Sequence, residues 1–228
     1  MKIGILQTGK MAPELAPRTG EYPAMFERLL APHGFDFQTW AVVDGDFPEG
    51  PEAADGWLIT GSKHGAYEDH PWIPPLEQLI RDITTSGKPL IGVCFGHQII
   101  AQALGGRVEK YGGGWSVGPQ VYDFAGTPTR LQAWHQDQVT ELPEGAEVTG
   151  QSDFCRYAAL HYPGKATYTV QAHPEFDDAI TQGLITYRGK GVVPDDLLAG
   201  AQAELGGKLD REKLSARFAH FFRTGELL

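Results

Sequence analysis

The stretch from Leu90 to Gly106 limits the fold of the whole chain more than any other segment. Leu90-Ile-Gly-Val93 is a short apolar run with the length of a buried strand. Cys94 follows. Apolar residues then recur at Ile99, Ile100, Ala103 and Leu104, which is helical spacing, and Gly105-Gly106 stops them. A buried strand running into a helix is half of a β-α-β unit, so it asks for parallel neighbours in a covered sheet. Cys94 stands at the junction. The free N–H groups and the positive dipole end of a helix N-terminus favour a thiolate there. Gly92 and Gly96 flank Cys94 two residues away on each side, the G-x-S-x-G spacing of a nucleophile elbow with sulfur in place of oxygen. A free cysteine is ordinarily inert core packing. The glycine frame and the junction argue for a reactive one.

The residues before this stretch repeat the same alternation. Lys2 to Leu6 reads as a first strand, apolar at its centre. Tyr22 to Leu30 fits a helix with Pro23 near its start and Met25, Phe26, Leu29 and Leu30 on one face. Phe35 to Val43 reads as a second strand and Gly56 to Thr60 as a third. Ile73 to Ser86 places Ile73, Leu76, Leu79, Ile80 and Ile83 at helical spacing. This order predicts parallel strands with right-handed crossovers, and a site beyond their carboxyl ends. The loop Gly61-Ser-Lys-His-Gly65 and the turn at Cys94 both follow strands and are expected at that edge.

From Val108 onward the pattern changes. Gln120 to Phe124, Arg130 to Trp134, Glu147 to Gly150, Tyr157 to His161 and Thr167 to Gln171 read as short strands between Pro and Gly turns, so antiparallel strands are expected beside the parallel core. Three helices are expected at the end: Asp177 to Arg188, Pro194 to Leu205 and Asp210 to Phe222. The expected architecture is a three-layer α/β/α fold, flavodoxin-like, with a mainly parallel central sheet and added antiparallel strands. It forms one domain over 1–228, with a helical extension over about 177–228.

Composition narrows the function. The 228 residues carry a formal net charge of −10, which disfavours nucleic acid and anionic membrane as partners. No apolar run approaches the roughly 18 residues of a membrane span. Cys94 and Cys155 are the two cysteines, too few for a disulfide framework, so a reducing, cytoplasmic compartment is expected. His33, His64, His70, His161 and His220 show no metal-ligand spacing, and the sequence predicts no metal and no cofactor. Tyr111-Gly-Gly-Gly-Trp115 lacks the features of a phosphate loop or a dinucleotide site. Cys155 has no glycine frame and reads as a packed thiol, and His97 as a packing residue on the helix.

Far downstream, Ala172-His-Pro-Glu-Phe176 comes after the last strand. His173 and Glu175 are two apart, so in extended geometry they project the same way, and Pro174 stiffens the link. A carboxylate beside a histidine fixes its tautomer and stabilises its cation. The histidine can then take a thiol proton and return it to a leaving amine.

Gly92-Val-Cys-Phe-Gly-His-Gln98 together with His173-Pro-Glu175 closely resembles the class I (triad) glutamine amidotransferases, whose motifs are G-x-C-x-G-H/M-Q and H-P-E. The resemblance implies that Cys94 attacks a γ-glutamyl amide, with His173 as general base and acid and Glu175 as its orienting carboxylate. It implies an oxyanion hole from the backbone N–H of Phe95 and of Ser62, in the loop Thr60-Gly61-Ser62-Lys63. Ser62 stands where many members have a second glycine. Gln98 matches the family's glutamine near the substrate, and Gly61, in the loop after the third strand, is likewise expected to contact the substrate. Trp134-His135-Gln-Asp-Gln-Val139 resembles the family's S-H-x-D-x-V segment that holds the amino-acid end of glutamine, with Trp134 replacing the serine.

The resemblance further implies a small γ-glutamyl substrate, glutamine first, and ammonia delivered to an acceptor synthetase on a separate chain, since no synthetase motif is recognisable here. A stand-alone branch of the family includes γ-glutamyl peptidases, and Gly114-Trp-Ser-Val-Gly118 and the C-terminal helices resemble that branch. A flavin-binding module would leave His-Pro-Glu without a role. A non-catalytic regulatory relative would not need an intact triad. Oligomeric state is not set by the sequence.

Overall fold

The computed structural model describes residues 1–227. Its first four strands, parallel to one another, are Lys2–Leu6 (β1), Asp36–Trp40 (β2), Gly56–Ile59 (β3) and Leu90–Val93 (β4). Arg107–Lys110 (β5), Ser116–Phe124 (β6), Thr127–His135 (β7), Asp137–Glu141 (β8), Glu147–Gln151 (β9), Ala159–Tyr162 (β10) and Thr167–Val170 (β11) come next. Nine of them form one sheet in the order β2-β1-β3-β4-β11-β10-β9-β6-β7, and β5 pairs with β8 in a separate ribbon. The helices are Ala16–Thr19 (α1), Tyr22–Leu30 (α2), Ile73–Ser86 (α3), Phe95–Ala103 (α4), Asp178–Leu184 (α5), Asp195–Ala203 (α6) and Arg211–Thr224 (α7).

Local chemistry explains the helix ends. Both α2 and α3 carry proline in their first turn, where the missing N–H costs nothing. Gly87 ends α3 in the left-handed conformation at φ 74°. A five-residue π-helical turn, Ile185–Gly189, continues α5.

Strand alternation divides the core into two layers. On one face Trp57, Ile59 and Leu90 pack with Leu76, Ile80 and Ile83 of α3 and Ile99 and Ile100 of α4. On the other, Ile3, Ile5, Leu58, Ile91 and Val170 pack with Phe26 and Leu30 of α2 and Leu214, Phe218 and Phe222 of α7. The sheet is therefore covered on both sides, as its central parallel strands require. The C-terminal helix α7 forms part of one covering layer.

Three placements differ from the sequence reading. That reading puts Thr167–Val170 among the antiparallel additions. The strand does pair antiparallel with β10, but its other edge runs parallel to β4, with Val170 beside Val93. The β5–β8 ribbon has no counterpart in the sequence reading, because Arg107-Val-Glu-Lys110 and Asp137-Gln-Val-Thr-Glu141 are short, polar and exposed on one side. The second strand is also shorter than Phe35–Val43: β2 is an edge strand, largely exposed, and Val42–Asp44 curls into a 3₁₀ turn.

The glycine frame of Cys94 is a packing requirement. A Cβ on Gly92 would stand 2.5 Å from the carbonyl oxygen of Gly96, and one on Gly96 would stand 2.3 Å from the carbonyl oxygen of Ile59. Both clashes are with backbone, so neither is relieved by a rotamer change. Gly96→Ala is expected to lower stability by about 1–3 kcal/mol in urea unfolding, the usual cost of overpacking. A variant as stable as the wild type would contradict this account of the elbow.

Candidate active site

Cys94 is the residue between β4 and α4, with φ 53° and ψ −105°. Positive φ is uncommon outside glycine and marks a strained backbone at a functional turn. Its N–H donates to the Val170 carbonyl at 2.9 Å, so the parallel neighbour β11 fixes the turn. The thiol is buried and sits among Val93, Val170 and Ala172 at the end of the core.

Three residues after β11, the backbone N–H of His173 donates to the Gln132 carbonyl at 2.9 Å, an isolated bridge to β7. Nδ1 of His173 lies 2.7 Å from Oε1 of Glu175, and both side chains are buried. The imidazole stacks on Phe176 at 4.0 Å with the rings 4° from parallel. Arg211 at the start of α7 donates to the carbonyl oxygens of Pro174 (2.8 Å) and Glu175 (3.1 Å), which locks the His-Pro-Glu segment. Burial by itself pushes the His173 imidazole down. The carboxylate of Glu175 and the adjacent Cys94, with hydrogen bonding to both, outweigh it and hold the pKa up at about 10. The arrangement favours a protonated imidazole between Cys94 and the Glu175 side chain.

Gly61 touches the same centre. A Cβ there would lie 3.1 Å from Cε1 of His173 and 3.8 Å from Cβ of Cys94. Ser62 does not adopt positive φ, so this position does not need glycine. Its Oγ donates to the Thr8 carbonyl at 2.7 Å and accepts the His64 N–H at 3.2 Å. Serine thus ties the loop after β3 to the loop after β1. Thr8 completes the tie, its hydroxyl donating to the Thr60 carbonyl at 2.9 Å. Phe95 is the first residue of α4, where backbone N–H groups lack an intrahelical acceptor.

The other sequence-derived positions are placed less directly. Gln98 is buried and its amide is occupied, donating to the Asp137 carbonyl at 2.8 Å and to Gln171 Oε1 at 3.0 Å. It holds the segment after β7 against α4. His135 is buried, with Nδ1 3.2 Å from the Asp137 carbonyl. Burial pushes its pKa down to about 3, the nearby His173 adds to the shift, and the ring is neutral. His97 is likewise held neutral by burial, at about 3, with Nδ1 2.8 Å from the Thr169 hydroxyl. Trp134 lies half-buried between the Tyr22–Phe176–Leu184 cluster and the Val117–Leu198 cluster, a wall rather than a polar contact.

Sequence reasoning assigns no site role to Thr8 or Tyr22. Tyr22 stacks on Phe176 at 6.2 Å, and burial, then the charges of Cys94 and Glu175, raise its phenol well above the ordinary range. Thr8 was findable, because it comes shortly after the first strand and so lies at the edge where parallel sheets place their sites. Tyr22 carried no such signal; it reads as one apolar residue of an amphipathic helix.

Cys155 contrasts with Cys94. Burial pushes its thiol up to about 12, against a weaker backbone hydrogen bond that lowers it. Cys155 therefore stays a thiol at neutral pH. An electrophilic γ-glutamyl analogue or iodoacetamide at pH 7 is expected to modify Cys94 well before Cys155, with Cys155 reacting only on unfolding or as the pH nears 12. Peptide mapping of the labelled protein reads the ratio, and equal labelling would contradict a specially activated Cys94.

Known proteins resemble this chain in both sequence and fold. The sequence model of the glutamine amidotransferase class-I family matches residues 48–184. γ-Glutamyl peptidase 4 of Arabidopsis thaliana is 35% identical across 75% of each chain. A glutamine-hydrolysing GMP synthase subunit of Halobacterium salinarum is 34% identical, across 68% of this chain and 84% of its own. The crystal structure of a glutamine amidotransferase from Methylobacillus flagellatus superposes with a TM-score of 0.72 at 21% identity, over 99% of this chain and 92% of that one, and shares the fold. Among the described residues no helix is long and apolar enough to cross a membrane. The chain belongs to the class I glutamine amidotransferase family.

Proposed function

We propose that this protein hydrolyses the γ-glutamyl C–N bond of a small substrate through a Cys94–His173–Glu175 triad. The observation that carries the reading is the buried His173–Glu175 pair at 2.7 Å, whose imidazole stands beside Cys94. The Cys94 thiolate adds to the amide carbon, and negative charge develops on the carbonyl oxygen. The N–H groups of Phe95 and Ser62 stabilise that charge, a contribution worth roughly 100- to 1000-fold in rate per donor. His173 gives its proton to the leaving nitrogen, the C–N bond breaks, and a γ-glutamyl thioester remains. Water, losing a proton to His173, then attacks the thioester and releases glutamate and the free enzyme. Glu175 keeps the imidazole oriented and stabilises its cation.

Glutamine is the first substrate on this reading, with ammonia passed to an acceptor synthetase on a separate chain. The relative from Halobacterium salinarum, named as a glutamine-hydrolysing synthase subunit, supports it. A γ-glutamyl peptide is the second, supported by the similarity to γ-glutamyl peptidase 4 across three-quarters of both chains. The chemistry at Cys94 is the same; the leaving amine differs.

A panel of glutamine, glutathione and γ-glutamyl amines, assayed for glutamate and amine release, distinguishes the two readings. Cys94→Ala is expected to abolish release from every member. Glu175→Gln is expected to lower kcat by roughly 10²- to 10⁴-fold with little change in KM, because it acts through His173. If no γ-glutamyl compound is hydrolysed, or if Cys94→Ala retains activity, the proposed chemistry fails.

A further inference from the structure

The loop between β3 and α3 holds a side-chain cluster that this chemistry does not use. Nδ1 of His64 lies 3.3 Å from Oε2 of Glu68, and Nε2 of His70 lies 2.7 Å from the same oxygen. One donor atom from each of the three residues falls within 4.8 Å of the other two. No sequence pattern announces the cluster: His64 and Glu68 are four apart, but they stand in a loop between Gly61 and Pro71 rather than on a helix, and His70 follows Glu68 by only two residues. A folded turn brings them together. The Glu68 N–H donates to the Gly65 carbonyl at 3.1 Å, and the His70 N–H to the Glu68 carbonyl at 3.0 Å.

We propose that His64, Glu68 and His70 bind a divalent first-row transition ion, with zinc the foremost candidate. Two imidazoles and one carboxylate form a nitrogen–oxygen donor set that suits zinc and leaves a fourth position for water. Donors about 2.0–2.1 Å from a tetrahedral ion stand about 3.3 Å from one another. The His64–Glu68 separation already has this value, and the His70–Glu68 contact needs to open only slightly. Each imidazole binds the ion as a neutral ligand through the nitrogen that now faces Glu68, with its one remaining proton on the other ring nitrogen; any second proton on an imidazolium is released to solvent.

The cluster is both supported and reachable. The ring of His70 stacks on Trp72 at 5.8 Å and 11°, and His64 meets the same indole edge-on at 5.9 Å. Trp72 is itself buried, so both imidazoles rest on a fixed floor. Side-chain exposures of 22%, 42% and 32% for His64, Glu68 and His70 leave the opposite side open to an ion and its water. The floor continues to the active site, since Trp72 packs on Phe95 at 5.6 Å and the His64 N–H binds Ser62 Oγ. An ion here would brace both segments assigned to the oxyanion hole. That consequence rests on the proposed function; the binding does not.

The test uses the full chain carrying Cys94→Ser, so that Cys94 and His173 cannot capture the metal. After chelator treatment, Zn²⁺ is titrated against a chromogenic chelator and Co²⁺ is followed by its visible absorption. One equivalent is expected to bind, with the intense absorption of low-coordinate Co²⁺. His64→Gln with His70→Gln is expected to weaken binding at least roughly 10- to 100-fold and to abolish the band, with circular dichroism unchanged. If that double variant does not fold, Glu68→Gln, on an exposed side chain, gives the same readout. Failure to bind one equivalent, or binding that the ligand substitutions leave intact (an adventitious ion only), overturns the proposal.

Discussion

The site depends on one parallel pairing, β4 with β11. Cys94 and His173 are far apart in sequence and belong to halves of the chain with different strand patterns. The pairing of Val93 with Val170, closed by the bond from the Cys94 N–H to the Val170 carbonyl, ends both strands at the same level of the sheet. The segments that leave the two strands are then forced into contact. After β4 the chain turns sharply into α4. After β11 it runs on through His173-Pro174-Glu175, held by Gln132 on one side and Arg211 on the other. Helices on both faces of the sheet supply the burial that makes the pairing stable.

The strained turn at Cys94 and the electrostatics of His173 belong together. The elbow needs Gly92 and Gly96 because backbone carbonyls crowd both positions. Crowding of this kind over-determines the unusual φ of Cys94 and so keeps the sulfur at one place. Burial would by itself discharge the imidazole. Glu175, close and equally buried, reverses that effect. A partner carboxylate in a site shielded from water acts more strongly than the same pair would on the surface. Neutral His97 and His135 nearby add no competing positive charge.

Much of this was legible in the sequence, and the reasons are physical. The helices Tyr22–Leu30 and Ile73–Ser86 match their expected bounds because proline, glycine and apolar spacing all mark them. The two motifs of the candidate site were legible because tight packing and acid–base chemistry restrict which residues can stand there. The parallel partner of β11 was not, since four residues of a buried strand carry no record of which edge they join. The polar β5–β8 ribbon lacks the apolar alternation that announces a strand. Gln98 and Ser62 could be placed near the site from their motifs. Their hydrogen bonds to Asp137, Gln171 and Thr8 depend on loops that meet only in the folded chain. The His64–Glu68–His70 cluster was missed because it is made by a turn within one loop, which no residue spacing announces.

The central claim is that Cys94 carries the acyl group between two half-reactions. Rapid acid quenching during turnover, with mass spectrometry of the digested protein, tests it directly. A γ-glutamyl increment is expected on the peptide that contains Cys94, absent from the one that contains Cys155 and lost on treatment with hydroxylamine. Turnover of a γ-glutamyl substrate with no acyl group on Cys94 at any quench time, and undiminished by Cys94→Ala, would contradict it.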